Sequence, residues 1–146
     1  MHLDALFWQP GWREPKQEAF RAAVAAAIAD DAWITDGNYV SRTFDLRLPR
    51  ADAVIFIDQP RWLCLVRILW RWLTNFGRTR ADLAEGCPET FDWPFFLWTW
   101  NFRRQSQPRI LEEAARYPTP ITHLRGDAAM ARFLAKAVQR TAWFDG

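Results

Sequence analysis

Phe20, Val24 and Ile28 recur every four residues among alanines, the spacing of a helix with one buried face. Pro15 suits the approach to its first turn. The Asp30-Asp31 pair ends the pattern, and Trp33-Ile34-Thr35 reads as a short strand stopping at the turn residues Asp36-Gly37-Asn38. Upstream, His2-Leu3-Asp4 reads as the end of another strand. Beyond a polar stretch carrying Arg42, Arg47 and Arg50, residues 53–57 (AVIFI) are continuously apolar, which predicts a strand covered on both faces. Asp58 and Pro60 then open a helix running to about Phe76. Residues 77–89 are polar, carry arginines and lack an apolar period, as a loop or small lid would. Asp92 and Pro94 begin a further helix, FFLWTWNFRR, followed by a shorter one over residues 110–116. Residues 120–124 read as a last strand and residues 127–142 as the closing helix.

Strands alternating with helices predict an α/β domain with a parallel sheet. At 146 residues the chain forms one domain, 1–146, long enough to enclose a core. With 50% apolar and 25% charged residues it falls in the ordinary globular range, apart from ten Trp beside eleven Phe. A net charge of +2 is weak evidence for a nucleic-acid partner. Cys64 and Cys87 form no C-x-x-C, and His2 and His123 are the only histidines, so no metal-ligand set is expected. The first residues, MHLDALFWQPGW, lack a signal-peptide pattern, and no stretch approaches the roughly 18 apolar residues of a spanning helix. A cytoplasmic location is therefore expected.

The helix after Pro60 places its charges narrowly. At about 100° per residue, Arg67 and Arg71 fall roughly 40° apart, with Leu63, Val66, Leu69, Trp70 and Leu73 spread over the broad remaining arc. Two guanidinium forks side by side suit phosphate oxygens, which they bond bidentately while staying charged. The same two residues could instead cap a sheet edge or pair with acids.

These strings resemble the adenylate-kinase-like P-loop proteins, in the branch often labelled adenylate kinase or DNA topology modulation protein. The resemblance rests on residues 33–39 (WITDGNY), residues 51–58 (ADAVIFID), the R-x-x-x-R of Arg67 and Arg71, and an ordered lid string of Arg78, Arg80, Asp82, Gly86, Cys87, Pro88 and Glu89. It implies a three-layer P-loop kinase fold with residues 77–89 as the lid. By the same resemblance, Arg67, Arg71, Arg78 and Arg80 act on the transferring phosphoryl group, and Arg103 and Arg104 neutralise phosphate charge from the far side of the lid. The acceptor would lie over Asp4, Trp8, Asp36, Gly37, Asn38 and Tyr39, with Asp36 and Asn38 at a strand's carboxyl end, where open α/β sheets bind ligands.

One departure from the family pattern is large. No G-x-x-x-x-G-K-[ST] occurs, and neither Lys16 nor Lys136 follows a glycine. The resemblance implies sheet order 2-3-1-4-5, so the absent first strand, phosphate loop and helix would be the central ones, leaving an N-terminally truncated fold. On the order of 30 residues would fill that gap. ATP and Mg, implied for the intact family member, are expected to bind this chain poorly. The expected function is phosphoryl transfer from ATP to a nucleotide or small molecule in the intact form, with this chain inactive.

Two other classes compete. Arg and Trp interleave in RWLCLVRILWRW and FFLWTWNFRR, as they would in a nucleic-acid-binding module that pairs with phosphates and stacks on bases. A parallel sheet would cover most of those tryptophans, which argues against it. Attachment to a membrane surface through the same helices is a third reading, disfavoured by the narrow polar face after Pro60.

Overall fold

The computed structural model describes residues 1–79 and 83–141. Among them are seven helices and one two-stranded sheet: α1 (Leu3–Phe7), α2 (Gln17–Ala27), α3 (Val40–Arg47), a 3-10 turn (Leu48–Arg50), β1 (Val54–Asp58), α4 (Arg61–Asn75), α5 (Trp93–Gln105), α6 (Gln107–Ala114), β2 (Ile121–Arg125) and α7 (Gly126–Thr141). β1 and β2 run parallel, with Phe56 opposite His123 and Asp58 opposite Arg125. The expected α/β character and the helices after Pro15, Pro60 and Asp92 are all present.

Local chemistry accounts for most element ends. Phe20, Val24 and Ile28 are fully buried along one stripe of α2 and its C-terminal cap. The Asp92 side chain caps α5 by accepting from the Phe95 N–H at 3.0 Å, and Pro94 occupies its first turn. Two apolar clusters form the core. Leu3, Phe7, Phe20 and Val24 pack beneath Tyr39; Phe44, Leu48, Phe56, Ile110 and Ala114 join α3, β1 and α6.

Four expectations need correction. His2-Leu3-Asp4 does not end a strand: Leu3 and Phe7, four residues apart, bury on one face of α1, and that burial favours a helical turn. Residues 33–35 form no strand either. The Met1 amino group donates to the Ile34 carbonyl at 2.7 Å, the Asp36 N–H to Met1 at 2.9 Å, and the Leu3 N–H to Asp36 at 2.8 Å, which amounts to one parallel bridge between His2 and Asp36. With only three residues to pair against, the segment lacks the length of a strand, and Ile34 stays 84% exposed.

β1 is also not covered on both faces. Phe56 and Asp58 point inward, while Ile55 and Ile57 remain 45% and 53% exposed. Finally, α4 buries no residue completely, and Trp62, Val66, Leu69, Trp70 and Leu73 form an exposed apolar stripe at helical spacing. Trp62 and Trp70 of α4 and Trp93, Trp98 and Trp100 of α5 therefore face solvent, because a two-stranded sheet is too narrow to cover them.

Phe20 anchors the first cluster at full burial, with its ring edge-on to Phe7 at 5.0 Å. Phe20→Ala should lower stability by about 3–5 kcal/mol, measured as a shift in the urea midpoint at unchanged m-value.

Candidate functional site

An open cleft of about 1900 Å³ divides the molecule. One wall consists of residues 33–39, with Asp4, Phe7 and Trp8 behind them; the other consists of residues 53–57, with Arg71, Trp72 and the start of α5 alongside.

Arg47 holds the first wall in place. It is 5% exposed, and it donates from Nη2 to the Asn38 carbonyl at 2.7 Å, from Nη1 to the Gly37 carbonyl and Thr35 Oγ1 at 3.3 Å, and from Nε to Thr43 Oγ1 at 3.1 Å. Burial pushes its guanidinium down to about 10. Gly37 is required within this turn. Its φ is 136°, and a Cβ there would lie 3.0 Å from Leu3 Cβ. Tyr39, at φ 38°, donates its hydroxyl to Asp4 Oδ1 at 2.5 Å. Burial first, then this hydrogen bond, raises the phenol well above its ordinary range.

Asp4, Trp8, Asp36, Gly37, Asn38, Tyr39 and Arg71 all line the cleft; Arg67, Arg78, Arg103 and Arg104 do not. Arg80 lies outside the described residues. Arg67 instead pairs with Asp127 at 3.3 Å, across the start of α7. Of the two arginines that lie about 40° apart on α4, Arg71 reaches the cleft and Arg67 does not. Arg71 donates from Nε to the buried Glu89 at 3.0 Å. Arg78 and Arg104 are exposed.

The lid-like segment is tied to residues 9–12. The Gly11 N–H donates to the Gly86 carbonyl at 2.8 Å, Trp12 Nε1 to the Pro88 carbonyl at 3.0 Å, and the Cys87 thiol to the Gln9 carbonyl at 3.2 Å. Trp12 is thus held as a donor, edge-on to Trp8 at 5.3 Å.

Sequence reasoning missed one cluster. Asp58, at the carboxyl end of β1 and 8% exposed, accepts from Arg103 at 3.2 Å and lies 3.3 Å from His123 Nε2, with Arg125 at 3.9 Å. The signal was an aspartate directly after a five-residue apolar run, the position where a parallel strand delivers a side chain to its binding edge.

Tyr39→Phe tests the link between Tyr39 and Asp4. A phenol that ionises later in the folded than in the unfolded chain contributes stability that is complete below the unfolded pKa of about 10 and is lost as pH rises above it. Removing the hydroxyl should cost about 1.5–3 kcal/mol at pH 7 and flatten the decline in urea midpoint between pH 9 and 11. Compared with protein-family models, curated proteins and solved structures, the chain matches none of them.

Proposed function

We propose that this chain is the acceptor and lid portion of an adenylate-kinase-like phosphoryl-transfer enzyme, and that residues 1–146 alone do not transfer phosphate. The finer fold on this reading is that of a three-layer P-loop kinase. One observation carries it: the cleft gathers Asp4, Trp8, Asp36, Asn38 and Tyr39 on one wall and Arg71 on the other. Asp36 and Asn38 are exposed acceptors and donors able to hold a hydroxyl-bearing acceptor molecule, Trp8 offers an aromatic face, and Arg71, itself paired with Glu89, places a guanidinium across the gap.

The residues present do not fit ATP with Mg. The sequence has no glycine-rich loop ending in lysine, and among the described residues no three His, Cys, Asp or Glu side chains are grouped to hold a metal ion. Nucleotide binding belongs, on this reading, to a strand–loop–helix unit that the sequence does not contain.

Purified residues 1–146 should show no transfer from γ-labelled ATP to a panel of nucleoside monophosphates. Joining a strand, glycine loop and helix of on the order of 30 residues should create transfer, and Arg71→Ala in that fusion should lower kcat about 10²–10³-fold. Transfer by the chain alone, or a folded fusion that transfers nothing, would overturn the reading.

A second reading, a nucleic-acid-binding module, gains support from the exposed tryptophans. Trp62 and Trp70 stand 62% and 69% exposed on α4, and the Arg61 guanidinium lies 4.6 Å over the Trp100 ring on α5. On this reading single-stranded DNA binds with an affinity falling steeply with salt, and Trp70→Ala weakens it by about 1–3 kcal/mol. Fluorescence anisotropy at 50 and 200 mM salt measures both, and absence of binding at the lower salt removes this alternative.

A further inference from the structure

One wall of the cleft is the free edge of β1, and the other is the segment 34–36, bridged to residues 1–3 through Asp36. Side chains alternate across a strand, so a cavity lying against its face meets every second residue, whereas one lying along its edge meets consecutive residues. Residues 53–57 and residues 33–39 both line the cleft without a gap. The backbone agrees. The Val54 N–H donates to the Pro120 carbonyl, so the even-numbered residues of β1 face β2 and the N–H and C=O groups of Ile55 and Ile57 point away from it. On the opposite wall, Ile34 and Asp36 bond to Met1 and Leu3, which turns the N–H and C=O of Thr35 outward. β1 has no second neighbour among the described residues. Two unpaired peptide edges thus border one slot.

We propose that this slot binds an extended, apolar segment of a partner polypeptide, which pairs with Ile55 and Ile57 on one side and Thr35 on the other. A row of unpaired N–H and C=O groups is a template for an added strand. The occupant must be apolar on both faces. One face would continue the surface of Ile55 and Ile57, and the other would lie over the Phe44, Leu48 and Phe56 cluster. A small molecule held at Asp36 and Asn38 would fill only part of the cleft, since about 1900 Å³ exceeds the ~300–1,000 Å³ usual for such sites, and would leave the peptide edges of Thr35, Ile55 and Ile57 unpaired. A second copy of this chain fits poorly too. The slot needs a strand with both edges free, yet β1, β2 and the 34–36 segment each already have one edge paired. The inference does not depend on the phosphoryl-transfer reading, because its test requires no nucleotide.

The test uses the full chain and two synthetic heptapeptides of the same Val/Ile-rich sequence, one carrying N-methyl groups on alternate amides. The unmodified peptide should slow amide hydrogen exchange at Thr35, Ile55 and Ile57 by about tenfold or more and raise the Tm. The methylated peptide, which keeps the side chains but loses half its donors, should do neither. Equal effects from both peptides would reduce the slot to a greasy cleft and overturn the proposal. Protection of the three amides without peptide would overturn it as well, whether through self-association, seen as concentration dependence, or through closure within one chain. So would a lack of protection across a panel of Val/Ile-rich heptapeptides.

Discussion

The buried guanidinium of Arg47 is the contact on which the cleft depends. Its side chain leaves α3 and bonds the carbonyls of Gly37 and Asn38 and the hydroxyl of Thr35, so one residue fixes the backbone that presents Asp36, Asn38 and Tyr39. No carboxylate pairs with it among the described residues. Burying an uncompensated cation costs free energy unless its donors are satisfied, and here carbonyl and hydroxyl oxygens satisfy them. Phe44 completes the setting, its ring 5.2 Å beneath the guanidinium. The loop geometry is therefore maintained by the chain's own buried contacts.

Around this anchor the chain forms two packed halves. The first joins α1, α2 and the 33–39 loop over Leu3, Phe7, Phe20 and Val24; the second joins β1, β2, α3 and α6 over Phe44, Phe56 and Ile110. α3 belongs to both, contributing Arg47 to one and Phe44 to the other. The halves are thus linked at the base of the cleft while their backbone edges stay apart at its mouth. The same geometry leaves Ile34, Ile55 and Ile57 in solvent, a cost that a three-residue ladder and a two-stranded sheet cannot offset.

Several of the arginines sit in ion pairs. Arg67 with Asp127, Arg71 with Glu89, Arg103 with Asp58 and Arg21 with Asp45 each balance a carboxylate. Partly exposed pairs of this kind contribute little stability. They do orient side chains: Arg71 is held at the cleft wall by a nearly buried Glu89, whereas Arg67 is drawn toward α7. Two arginines at the same helical spacing consequently serve different places.

Local chemistry was readable from the chain itself. The four-residue period of Phe20, Val24 and Ile28, the Asp92 cap, the prolines at the starts of α4 and α5 and the apolar run of β1 each act within a few residues, and each produced the expected element. Residues 36–38 were legible as a turn because glycine and asparagine chemistry is local as well. What depends on neighbours distant in sequence was not legible. A strand exists only when something pairs with it, so residues 33–35 form none, and the pairing there is the single bridge between His2 and Asp36. Whether Ile55 or Trp70 is covered depends on how many strands the sheet has. Likewise, the direction of Arg67 was decided by Asp127, 60 residues away, which no helical angle could reveal. The sequence determined the elements and the chemistry they carry; tertiary structure decided which of those groups share a cleft, because pairing and burial are properties of contacts between segments.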